Sequence, residues 1–85
     1  YALVPVIERL SVIGSRLAVS DVACASTILK AAIESSVMNI YINTGSMRNR
    51  ELAISMNTEA KNMVEDTVSR MDAVYSEIME ALWKN

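Results

Sequence analysis

The sequence predicts an all-α fold, a helical bundle of two shorter helices and one long C-terminal helix. Three observations predict it. Apolar residues recur at steps of three and four in three successive blocks, no stretch alternates with the period of a strand, and Pro5, Gly14 and Gly45 fall at block ends.

The first block opens on Pro5, which suits the first turn of a helix because the N–H it lacks has no partner there anyway. Val6, Leu10 and Ile13 follow at helical spacing with Ile7 beside them, and Gly14-Ser15 ends the block. About nine residues make a helix that is marginal without neighbours.

Ser20 is the expected N-cap of the second helix, with Asp21 in its first turn, where the helix dipole favours a negative charge. Between Val22 and Ile42 only Lys30 and Glu34 are charged, and their i,i+4 spacing reads as a structural ion pair. Val22, Ser26, Leu29, Ile33, Val37 and Ile40 trace one face, while Ala23, Ala25, Ala31, Ala32, Ser35 and Ser36 supply small residues elsewhere. Such a helix accepts neighbours from more than one side. It is not a membrane span: its seven Val, Leu and Ile residues contribute about −2 to −4 kcal/mol to insertion, and Lys30 near the middle costs about +2.5 to +3.5 kcal/mol alone.

Thr44 to Asn49 reads as a turn, with Gly45 the stop of one helix and Asn49 the N-cap of the next. The third helix runs to Trp83 along Leu52, Met56, Ala60, Met63, Thr67, Met71, Val74, Ile78 and Leu82, an eleven-residue period that implies a straight or slightly right-handed rod. Roughly 34 residues span about 50 Å. Two shorter helices do not cover that length, so the bundle is expected to be completed by further helices or a partner subunit. Residues 1–85 then form a single partial domain. The apolar opening Tyr1-Ala2-Leu3-Val4, with no initiator Met, fits a piece of a longer protein.

Composition narrows the chemistry. A chain of 85 residues buries only about 60–68 % of its unfolded surface, yet 52 % of its residues are apolar. Eight basic against ten acidic residues give a net charge of −2, without the footprint of a nucleic-acid binder. One cysteine, Cys24, and no histidine exclude a disulfide framework, the usual zinc spacings and a histidine-based triad. Carboxylates, amides, Lys, Arg, Ser and Tyr remain.

Among these, Asp21 reads from position alone as an ordinary helix-start Asp, and functionally as a fixed carboxylate able to accept paired N–H donors. Asn39 and Asn43, four residues apart, project from one side of the second helix. Asn43 suits a helix end, and Asn39 within an apolar run reads first as a buried, satisfied amide. Arg16 precedes Ser20, and Arg48 and Arg50 flank the third helix, where cations oppose the dipole. Cys24 reads as a small apolar filler, and the methionines as packing residues.

The run Ala18-Val19-Ser20-Asp21-Val22-Ala23, then Ala31-Ala32, then Asn39-Ile40-Tyr41-Ile42-Asn43 resembles the A-V-S-D-x-x-A … A-A … N-x-x-I-N signature of the formiminotransferase-cyclodeaminase family. Ala2-Leu3-Val4-Pro5 is similar to the small-x-x-Val-Pro step before that signature, and Arg48-Asn49-Arg50-Glu51 stands where members carry Lys-Asp-x-Glu. The resemblance covers essentially the whole chain. It implies the C-terminal half of a dimeric, cytoplasmic, all-helical domain acting on a tetrahydrofolate derivative, with no metal, no nucleic acid and no membrane involved. Members cyclodeaminate 5-formiminotetrahydrofolate or hydrolyse 5,10-methenyltetrahydrofolate. The resemblance assigns Asp21 to catalysis and Ser20, Asn39 and Asn43 to substrate binding; Arg16, in the loop before them, is added to the substrate-binding set as an arginine placed to hold an anion. Two features depart from the family: Gly14-Ser15-Arg16-Leu17 replaces a Gly-Asn-x-Asn-type loop, and a Gly-rich N-terminal half is not within these residues. The competing expectation is a noncatalytic helical dimerisation module.

Overall fold

The computed structural model describes residues 1–13 and 16–84, apart from the side chains of residues 13 and 16–18. Three helices make up the described chain: α1 (Leu3–Ile13), α2 (Arg16–Gly45) and α3 (Arg50–Trp83). The all-α expectation and the element order both hold. The Gly14-Ser15 stop lies outside the described residues.

The molecule is a rod of 55 × 16 × 15 Å. α2 and α3 form an antiparallel hairpin, as two pairings at different heights require: Thr44 with Asn57 near the turn, and Lys30 with Asp72 further along. α1 runs beside α3 in the same direction, with Tyr1 at Asp66 and Glu8 at Arg70. It therefore covers only the half of the hairpin away from the turn. There Val4 and Ile7 of α1 join Val22 and Ala23 of α2 and Met71, Val74 and Ile78 of α3 in one core, with Val19, Ala25, Leu29 and Leu82 packed around it. Beyond Tyr1 the hairpin has two layers and no third.

On α2 the buried face is the expected one, extended to Thr44. On α3 the buried set differs near the turn: Ala53 is fully buried, whereas Leu52 and Met56 are exposed. Ala60, Thr67, Met71, Val74 and Ile78 are buried as the expected stripe requires, and Ala53 takes the inside position at the turn end. The shift follows from the small side chains: Ala53 and Ala60 let α2 approach closely, and larger residues at the same height are displaced outwards.

The turn is held by polar bonds. Asn49 caps α3 as expected, its side chain accepting from the Leu52 N–H at 3.1 Å. Arg50 reaches back to the carbonyls of Thr44, at 2.8 Å, and Met47, at 3.0 Å, and so satisfies acceptors left over at the end of α2. Gly45 is the last residue of α2 and has no positive φ, so the helix stops without a left-handed residue. Buried hydroxyls are likewise satisfied: Ser26 donates to the Ala23 carbonyl at 2.6 Å and Thr67 to the Met63 carbonyl at 2.8 Å.

α1 is tied to α3 by Arg70, whose Nε donates to Glu8 at 2.9 Å, whose Nη2 pairs with the same carboxylate, and whose Nη1 donates to Asp66 at 3.0 Å. The Tyr1 hydroxyl donates to Asp66 as well. Arg70 holds the Glu8 carboxyl below the usual carboxylate range; the hydrogen bond from Tyr1, then that from Arg70, does the same for Asp66. Because both pKa values fall on folding, the clamp is complete above the ordinary carboxylate range and is lost as pH falls through the lowered values. NMR observation of α1 during acid titration is expected to show its helicity fading below about pH 4. An Arg70→Ala chain, which lacks the charged partner, is expected to show α1 loosened at neutral pH and little further acid response.

Candidate functional site

α2 carries the residues singled out by sequence, and its geometry corrects several local expectations. The helix begins at Arg16, one turn before Ser20, so Ser20 is not an N-cap and Asp21 is not in the first turn. α1 ends at Ile13, directly before Gly14-Ser15, and α2 is already helical from Arg16 because Leu17-Ala18-Val19 has no breaker. Asn39 is exposed rather than buried, as is Cys24. Lys30 pairs with Asp72 of α3 at 2.8 Å instead of with Glu34, and this hydrogen bond raises its pKa.

Asp21, Asn39 and Asn43 are all exposed, and they share one side of α2. Asp21 and Asn39 are eighteen residues apart, five turns of helix, and so point the same way. That separation is also about 27 Å along the axis, and about 33 Å for Asn43. The single chain therefore aligns the carboxylate and the amides without bringing them together. Ser20 is half-buried and lines a shallow groove with Ala23, Cys24, Tyr75, Ile78 and Leu82. The side chain of Arg16 lies outside the described residues. Arg50 is engaged with the turn carbonyls.

A second groove opens at the N-terminal end of α1. Tyr1, Ile40, Glu59, Asn62, Met63 and Asp66 line it, and it lies at the asparagine end of the rod. Ile40 is adjacent to Asn39, and Asn43 stands one turn further along the same side. The floor of Ile40 and Met63 is apolar, while Glu59 and Asn62 place a carboxylate and an amide at its rim. Sequence reading missed these two. They lie three apart on α3, a spacing that marks one face, but nothing in the sequence sets that face opposite Ile40.

No described helix is long and apolar enough to cross a membrane, and no group of three or more Cys, Asp and Glu among the described residues is placed to hold a metal ion. No curated protein and no solved structure matches the chain significantly. The sequence profile described as formiminotransferase-cyclodeaminase matches residues 1–62, which include α1, α2, the turn and the first part of α3. Both polar segments of α2 and three groove residues, Tyr1, Ile40 and Glu59, fall within that match, as does Asn62 at its edge. On this match over most of its length, the chain belongs to the formiminotransferase-cyclodeaminase family, a family of folate one-carbon metabolism.

Proposed function

We propose that the protein binds a tetrahydrofolate derivative and acts on its one-carbon unit. In the deaminase form, N10 attacks the formimino carbon of 5-formiminotetrahydrofolate, the bond from that carbon to the exocyclic nitrogen breaks, and the nitrogen leaves as ammonia to give the 5,10-methenyl compound. In the hydrolase form, water adds to the methenyl carbon and one ring bond opens to the formyl product. The family match carries the reading, since it spans Ser20-Asp21 and Asn39 to Asn43 together.

Asp21, an exposed carboxylate on a rigid helix, suits an ionised acceptor for the substrate's N–H groups or a base. The proton for departing ammonia comes from another group. Asn39 and Asn43, with Ser20 and Arg16, orient the substrate. Ile40 and Met63 supply the groove with apolar side chains suited to a pterin ring. A cytoplasmic location goes with this reading. The test is to incubate the full chain with 5-formiminotetrahydrofolate and, separately, with 5,10-methenyltetrahydrofolate. Ammonia release with appearance of the methenyl chromophore identifies the deaminase; loss of that chromophore identifies the hydrolase. Neither change at high protein concentration sinks the proposal and leaves the noncatalytic dimerisation module.

A further inference from the structure

The groove between Tyr1, Ile40 and α3 holds two carboxylates, and they differ in what still faces a ligand. Asp66 is engaged: it accepts from the Tyr1 hydroxyl and, at 3.0 Å, from Nη1 of Arg70. Glu59 is open. Among the described residues neither Glu59 nor Asn62 has a hydrogen bond or an ion pair, and both are exposed. No Lys or Arg among the described residues lines the groove. Glu59 and Asn62 lie three apart on α3, which sets their Cβ atoms about 5–6 Å from each other on one face. Ile40 and Met63, both half-buried, share the groove with them. A ligand therefore meets one carboxylate able to accept two parallel N–H bonds, one amide able to donate beside it, and an apolar flank.

We propose that Glu59 and Asn62 read the 2-amino-4-oxo edge of the pterin: Glu59 accepts from the N3–H and the 2-amino group, and the Asn62 amide donates to the 4-oxo oxygen. That edge presents two neighbouring donors followed by an acceptor, the complement of a carboxylate followed by an amide. The inference rests on the folate reading and adds to it which end of the folate the groove takes. The benzoylglutamate end carries carboxylates of its own. Setting them beside Glu59, with no cation lining the groove among the described residues, juxtaposes like charges, so that end points out of the groove. Asp21 stands about 28 Å along α2 from Ile40 and, in the same chain, does not meet a ring seated there. The N–H acceptor at this end therefore comes from α3.

Glu59 is exposed and the core is built without it, so Glu59→Gln keeps the fold, which far-UV circular dichroism checks. Binding is read by equilibrium dialysis of the full chain against tetrahydrofolate, under anaerobic conditions, and against its 2-desamino analogue. Glu59→Gln is expected to weaken tetrahydrofolate by at least about tenfold, because a charge-assisted pair of bonds is lost. The same substitution is expected to weaken the analogue, which lacks the 2-amino donors, by much less. Glu77→Gln makes the same charge change five turns further along the same side of α3 and is expected to alter neither. Equal binding of tetrahydrofolate by wild type and Glu59→Gln, equal losses for the two ligands, or the same loss in Glu77→Gln overturns the assignment of the edge and leaves the folate reading in place. A wild-type chain that binds no tetrahydrofolate at millimolar concentration overturns the folate reading, and this inference with it.

Discussion

Replacing Asp21 with Asn is expected to lower folate turnover by about a hundredfold or more, with helical content and thermal midpoint unchanged. The two halves of that expectation have separate grounds. Asp21 is exposed on α2 and the core is built without it, so the fold loses little when its charge is removed. Asn keeps the size and a hydrogen-bonding oxygen while losing the negative charge, and a neutral amide neither accepts a proton at neutral pH nor gives charge-assisted bonds to paired N–H groups. Steady-state kinetics beside far-UV circular dichroism read both quantities. Wild-type turnover in the variant would remove Asp21 from the chemistry.

Met71→Ala is expected to produce the largest loss of stability in the chain, about 2–5 kcal/mol. Met71 is only 1 % exposed and sits where α1, α2 and α3 all meet, against Val4, Ile7, Val22 and Val74. Truncation removes apolar contact and leaves a cavity that three rigid helices close poorly. In a domain this small each kcal/mol lowers the melting temperature by about 4–8 °C, so a fall of at least about 8 °C is expected in a thermal melt. Met79→Ala is the matched control, since Met79 is more than half exposed; its melting temperature is expected to move by no more than a few degrees. Equal effects of the two substitutions would mean that the three-helix core is not where the stability resides.

The fold was legible because helical periodicity is a property of single segments. The face of α2, the cap at Asn49 and the end of α3 at Trp83 all depend on residues within a few positions of one another. What escaped depends on contacts between segments. Leu52 and Met56 carry stronger apolar signals than Ala53, but the close approach of α2 selects the small side chain for the inside. Lys30 has a local partner in Glu34 and a distant one in Asp72, and only the hairpin register shows that the distant one is within reach. The start of α2 was misread because Ser20-Asp21 carries a strong capping signal in the middle of a helix that had already begun. The candidate site divides in the same way: sequence named Asp21 and the asparagines on one helix, and Glu59 and Asn62 became visible only when α3 was laid alongside Ile40.

The short reach of α1 gives the molecule an uneven resistance to opening. Near Glu8 and Arg70 three helices share one core, whereas near the turn two helices rely on Ala53, Thr44 and a few polar stitches. Opening that exposes backbone amides is therefore expected to start at the turn, and hydrogen exchange read by mass spectrometry is expected to be fastest at that end. A substrate bound at Ile40 and Asn43 would touch the two-helix part of the rod, so its binding is expected to slow exchange there.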